Sequence, residues 1–303
     1  MRVFERLACL ILCICIILSG CANENDVPIQ SDDSNTYTQA EKQKKSPHQP
    51  LQTNVLAQTS LGASKGELIS LPAVGLNNVV VVAKEYSISA NKVENNHAIY
   101  LLGDYRYQHN SLHDGYIALE LGDRIIFYDL GNRSLEDKIF LCDLDADGKD
   151  EIILHQVFDN FGSVGQYISR VFRIEDNIVE ITCVEADNTG YRCEAMANHQ
   201  FRVFNEFTAN SDIFDISDVY PAEFFDETGK LTKEIEIFYS SFLKFEPKDI
   251  DGDGLFEIEC TQVLYFDYHR NFVGYARTVI KLNKETQQFD IVQTKYQKDY
   301  FED

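Results

Sequence analysis

Two segments of the chain place acidic side chains at alternate positions. Asp143, Asp145 and Asp147 run into Gly148 and are followed by Glu151; Asp249, Asp251 and Asp253 run into Gly254 and are followed by Glu257. Alternate residues of a tightly wound loop aim successive carboxylates at one centre. Glycine at the sixth position permits the sharp turn after which the carbonyl of Lys149 or Leu255 points inward. A centre of that kind suits a hard cation that takes six to eight oxygens at about 2.3–2.6 Å, which is the preference of calcium. Left empty, carboxylates about 4 Å apart repel one another by roughly a few kcal/mol per pair at an effective dielectric near 20. The chemistry expected is cation binding.

The elements around these loops repeat. IFLCDLDADGKDEI, Ile139 to Ile152, aligns without a gap on FEPKDIDGDGLFEI, Phe245 to Ile258, with Asp143 falling on Asp249. Beyond them, YISRVFRIEDNIVEI from Tyr167 matches YARTVIKLNKETQQFDI from Tyr275, with two residues inserted in the later turn. A duplicated unit of roughly a hundred residues follows, because self-similarity at a fixed period marks a repeated supersecondary unit. Both loops sit between runs rich in Val, Ile, Tyr and Phe. Strands are expected at 79–83, 97–102, 116–121, 124–129, 151–157, 166–174, 178–184, 200–204, 235–242, 257–266, 273–282 and 289–294. Short helices are expected only at Ser217 to Phe225 and at the chain end. An EF-hand needs flanking helices and a bidentate Glu at position 12, where this chain has Leu154 and Cys260.

An apolar strand running into D-x-D-x-D-G-x-x-E and out into another apolar strand resembles the FG-GAP or VCBS-like repeats of integrin-α-type β-propellers. By that resemblance the calcium ligands are Asp143, Asp145, Asp147 and Glu151 in the first copy and Asp249, Asp251, Asp253 and Glu257 in the second. About 240 folded residues are too few for seven blades. The expected fold is therefore all-β, either a compact or incomplete β-propeller-like array or two duplicated β lobes, residues 65–185 and 186–303, each with one Asp-rich loop.

The N-terminus reads as an address. Arg2 and Arg6 precede an apolar run from Leu7 to Leu18. Such a run rises only about 18 Å as a helix against about 30 Å of hydrocarbon, so a secretory signal fits better than a span. Leu18, Ser19, Gly20 and Cys21 resemble the lipobox of bacterial lipoproteins, which implies cleavage after residue 20, lipid such as palmitate on Cys21, and attachment to the bacterial cell membrane facing the exterior or periplasm. From Cys21 to Ser64 the chain is polar, with Pro28, Pro47 and Pro50 and one aromatic, Tyr37. That composition predicts a disordered tether. Of eight cysteines, Cys142, Cys183, Cys193 and Cys260 remain for the folded part. Cys183 and Cys193 flank a turn-like Asp187–Gly190 cluster, so a hairpin disulfide and four free thiols are both open.

A formal charge of −22 from 27 Lys+Arg against 49 Asp+Glu excludes nucleic acid as a natural partner and favours cations, basic proteins or neutral glycans. The absence of Trp weakens a sugar platform based on indole stacking. Catalytic patterns are thin. Gly62 to Gly66 matches G-x-S-x-G but ends the polar tether, where the motif needs a strand before it and a helix after it. His109 and His113, with Asp114, fall in an expected loop. Asp212, Asp215, Asp218, Glu223, Asp226 and Glu227 read as a solvated acidic face. The sequence thus predicts a lipid-anchored, calcium-binding surface protein that is not an enzyme and binds an extracellular protein or glycan. An exported calcium-stabilised glycan hydrolase and a structural envelope lipoprotein are the alternatives.

Overall fold

Short β-branched and aromatic runs broken by Gly, Asn and Asp form an all-β structure, as expected. The computed structural model describes residues 54–57, 60–88, 98–106, 111–131, 136–159, 166–217, 222–232, 237–266 and 271–298, all within one compact unit, Gln49–Asp303. The signal, Cys21, the tether up to residue 53, His109 and Asp218 lie outside the described residues.

Strands β1 (Asn54–Leu56), β2 (Leu68–Leu71), β3 (Leu76–Tyr86), β4 (Ala98–Arg106), β5 (Ser111–Leu121) and β6 (Arg124–Asp129) make a six-stranded sheet in the order β1-β6-β5-β4-β3-β2. The expected tether therefore ends too late. Asn54–Leu56 pairs with β6, and Ala63 is buried with Leu61 against the sheet, because a few apolar side chains suffice when a sheet face is there to receive them. Ser111 and His113, expected in a loop, belong to β5, with His113 paired in register with Asp104.

The first repeat is a four-stranded antiparallel meander of β7 (Glu136–Cys142), β8 (Glu151–Asp159), β9 (Gln166–Ile174) and β10 (Ile178–Ile181). Next comes a three-stranded sheet, β11 (Tyr191–Ala195), β12 (Gln200–Asn205) and β13 (Ser211–Asp215). The second repeat follows: β15 (Lys244–Lys248), β16 (Glu257–Phe266), β17 (Asn271–Leu282) and β18 (Phe289–Gln297), with β14 (Ile237–Tyr239) pairing the far end of β16. β15 to β18 pair in the same antiparallel succession as β7 to β10. The anticipated helix over Ser217 to Phe225 is only a 3-10 turn, Ala222–Phe224, within the described residues.

Side-chain parity gives the stacking order. In β8, Ile152 and Leu154 join the core shared with Ile99, Leu101, Ile117 and Leu119 of the six-stranded sheet. Ile153, on the opposite face, joins a second core with Cys142, Leu144 and Val171 that takes in Phe245, Ile258, Cys260 and Ile280 of the second repeat. Ile258 of the second repeat matches Ile152 of the first, so one face of each repeat packs on the element before it. The same face of the second repeat is covered further along by β11 and β12, where Tyr191, Phe201 and Val203 meet Leu264 and Ala276. On its other face the residue matching Ile153 is Glu259, which ion-pairs with Lys244 at 3.1 Å and with Arg277.

Cys183 and Cys193 do not share a hairpin. β10 pairs with β9 and β11 with β12, so the two thiols enter different cores, and no disulfide joins the four cysteines of the described residues.

Candidate metal centre

Each Asp-rich loop joins two paired strands immediately behind it. Cys142 pairs with Glu151 and Lys248 with Glu257, so the Glu at position 9 opens the returning strand. The loops are wound alike. Position 4 is left-handed in both, Ala146 at φ 59° and Gly252 at φ 76°, and so is position 6, Gly148 at φ 86° and Gly254 at φ 87°.

Four hydrogen bonds recur position for position. Asp143 Oδ2 accepts from the Gly148 N–H at 2.9 Å, and Asp249 Oδ2 from Gly254 at 3.1 Å. Asp145 Oδ1 accepts from Asp147 at 3.1 Å, and Asp251 Oδ1 from Asp253 at 3.2 Å. Asp147 and Asp253 accept from the N–H groups of Lys149 and Leu255 at 2.7 and 2.8 Å. Glu151 Oε2 reaches back to the Leu144 N–H at 2.9 Å, and Glu257 Oε2 to Ile250 at 3.3 Å. Asp249 also accepts from the Gly252 N–H through Oδ1 at 2.7 Å, and each carboxylate oxygen so engaged keeps a further lone pair for another partner.

The carboxylates converge to different degrees. In the first loop Asp143, Asp145 and Glu151 each bring an oxygen within 4.8 Å of the others; in the second it is Asp249, Asp251 and Asp253 that do so. Asp147 stands outside the first set and Glu257 outside the second. The loops also differ in burial: Asp145 is 6% exposed and Glu151 0%, whereas Asp251 and Asp253 are exposed. Burial, then the neighbouring Asp145, Asp147 and Asp143, push the Glu151 carboxyl up to about 8, against the Leu144 N–H that holds it down. Its Oε1 is buried without a hydrogen-bond partner, with the Arg173 guanidinium at 3.9 Å.

A basic residue recurs behind each loop, and the site-residue assignment from the sequence omitted it. Arg173 faces Glu151 in register, and Lys281, which takes its place in the second hairpin, donates to Glu257 Oε1 at 2.7 Å and lies 4.0 Å from Asp253 Oδ2. The hairpin alignment that starts at Tyr167 and Tyr275 already superposes the two.

The other candidate patterns lack a site geometry. Gly66 leads into strand β2, so the helix that a nucleophile elbow requires is absent there. Asp215 and Asp226 are exposed and cap local turns through Ser217 and Thr228, which hold both carboxyls below the usual range. No helix among the described residues is long and apolar enough to cross a membrane.

Residues 189–297 match the family described as YybI C-terminal domain. The match takes in the second Asp-rich loop and its meander and stops short of the first. No curated protein and no solved structure matches the chain.

Proposed function

We propose that the chain is a calcium-binding, lipid-anchored protein of the bacterial cell surface, whose repeats form a propeller-like array and which acts by binding an extracellular protein or glycan. The reading rests on one observation above all: two loops 106 residues apart in sequence fold with the same four carboxylate–backbone hydrogen bonds. In each loop three carboxylates also bring an oxygen within 4.8 Å of one another, and like charges so close call for a positive partner. A cation of calcium's size, accepting six to eight oxygens in flexible geometry, meets that need. The carbonyls of Lys149 and Leu255 add a neutral ligand at position 7.

The array reading draws on the head-to-tail packing of the meanders, each face meeting the opposite face of its neighbour, as successive blades do. The match from residue 189 begins close to the expected second-lobe boundary at 186. The anchor and export draw on the Leu18–Cys21 motif alone.

The test is a thermal melt of the full chain in excess chelator, then in millimolar calcium and in millimolar magnesium. Calcium selectively raises the midpoint, and Asp145→Ala and Asp251→Ala each remove part of the rise. Coincident curves refute cation binding. Loss of labelled palmitate in Cys21→Ser tests the anchor. Binding of the calcium-loaded protein to an extracellular protein or glycan array, without turnover of the glycans, separates the binding reading from the hydrolase one.

A further inference from the structure

The turn that differs most between the repeats is the one that touches the other repeat's loop. Glu175–Asn177 joins β9 to β10 in three residues, whereas Asn283–Gln288 joins β17 to β18 in six, three longer where the sequence alignment places two insertions. Asn283 organises the longer turn: its Oδ1 accepts from the Glu285 and Thr286 N–H groups, and its carbonyl accepts from Gln287 at 2.8 Å. The result is carried to the first Asp-rich loop. Lys284 Nζ donates to the Ala146 carbonyl at 3.2 Å, and Gln287 Nε2 to Asp145 Oδ2 at 3.3 Å and to its own turn at Lys284 O, 2.6 Å.

Two oxygens at this junction are buried and have no hydrogen-bond partner, Glu151 Oε1 and Gln287 Oε1. Glu151 belongs to the converging carboxylate set and is completely buried. A carboxamide has one oxygen and one nitrogen end of nearly equal shape, and which end faces a carboxylate depends on charge. Beside an empty set of carboxylates the NH₂ end faces Asp145. With a cation among them, the oxygen end gains a ligand bond that outweighs the Nε2 bonds to Asp145 and to the Lys284 carbonyl, from which the turned carboxamide must move away.

We propose that Gln287, delivered by the second repeat, is a ligand of the first repeat's divalent cation, turning its carboxamide so that Oε1 replaces Nε2 at the site. The first site is then a clamp between repeats, built from Asp143, Asp145, Glu151 and Gln287, and it binds calcium more tightly than the second. The second site has no such donor on the described residues. It has instead the Lys281 ammonium 4.0 Å from Asp253, a built-in cation that competes with a bound one. This inference rests on the calcium reading above.

The experiment is calcium titration by calorimetry on the full chain, in an Asp251→Asn background that silences the second loop, for Gln287, Gln287→Ala, Gln287→Glu and Asp145→Asn. A ligand role predicts that Gln287→Ala weakens the remaining event by about tenfold, equivalent to about 1.4 kcal/mol. Gln287→Glu keeps the oxygen, deletes both N–H donors and restores or exceeds the parent affinity. A purely structural role for the Nε2 bonds predicts the reverse order, with Gln287→Glu as damaging as Gln287→Ala or more so. That result, or equal affinity for all three residues at 287, overturns the inference while leaving a calcium site that Asp145→Asn abolishes. Absence of any calcium heat in the Asp251→Asn parent overturns the first-loop calcium reading itself, and the inference with it.

Discussion

His155 is the sharpest test of how the repeats hold together. It is 4% exposed, its ring stacks on Tyr167 at 5.2 Å and lies 6.2 Å from Phe245 of the second repeat. Nε2 lies 3.3 Å from the Leu243 carbonyl and Nδ1 3.0 Å from Ser169 Oγ. A carbonyl only accepts, so the proton sits on Nε2 and Nδ1 accepts from the serine. Burial holds the pKa down at about 4, with Lys138 acting in the same sense and the Leu243 carbonyl and Glu246 opposing. The folded state therefore binds this proton later than the unfolded chain does. Stability from this group is complete above about pH 6.5 and is lost as pH falls through 4. At about 1.4 kcal/mol per pH unit the loss is on the order of 3 kcal/mol. Urea unfolding of the wild type and of His155→Gln, each from pH 7.5 to 4 in chelator, isolates the term by difference, since every carboxylate titrates in both. The variant is less stable at pH 7 and has a shallower decline. Parallel pH profiles for the two proteins would falsify the assignment of a buried neutral imidazole.

Three further outcomes follow from the loops. Ala146→Gly stabilises the ion-free protein by about 1 kcal/mol in urea unfolding, because the residue already sits at φ 59° where its counterpart is glycine. Gly148→Ala costs about 1–2 kcal/mol on the same assay, from backbone conformation alone, since a Cβ there meets nothing within 4 Å. Lys281→Met removes the ammonium from the second loop: calorimetry shows tighter calcium binding there, while the melt in chelator drops as Glu257 loses its partner.

Much of the fold was legible in the sequence because its strands follow β-branched runs. β6, β9 and β16 have the bounds expected of them. The overlooked strands include β7, EDKIFLC, which opens on three charges, and β15, KFEPK, whose charges alternate with Phe and Pro; in both, pairing to a neighbour decides the conformation more than propensity does. Both Asp-rich loops were readable from spacing, and the structure gives each the same wound backbone. What spacing did not convey is their inequality. Lys281, Arg173 and Gln287 lie over 20 residues from the loops they meet, so their effect arises only from registers and turn lengths that no local pattern encodes.

Glu259 marks the face of the second repeat that packs on no further sheet among the described residues. The first repeat offers Ile153 to its successor; the second offers at the matching place a carboxylate held by Lys244 and Arg277, with Lys248 at 3.8 Å. A unit with two unlike, mutually complementary faces lengthens by copying itself, since each new copy inherits a ready-made surface on which to sit. Growth of that kind has no natural end, and an uncovered final face invites another molecule to continue it. Replacing one aliphatic position by an ion-paired glutamate makes that face a poor seat for a further copy, since docking there would have to desolvate the Glu259 ion pairs.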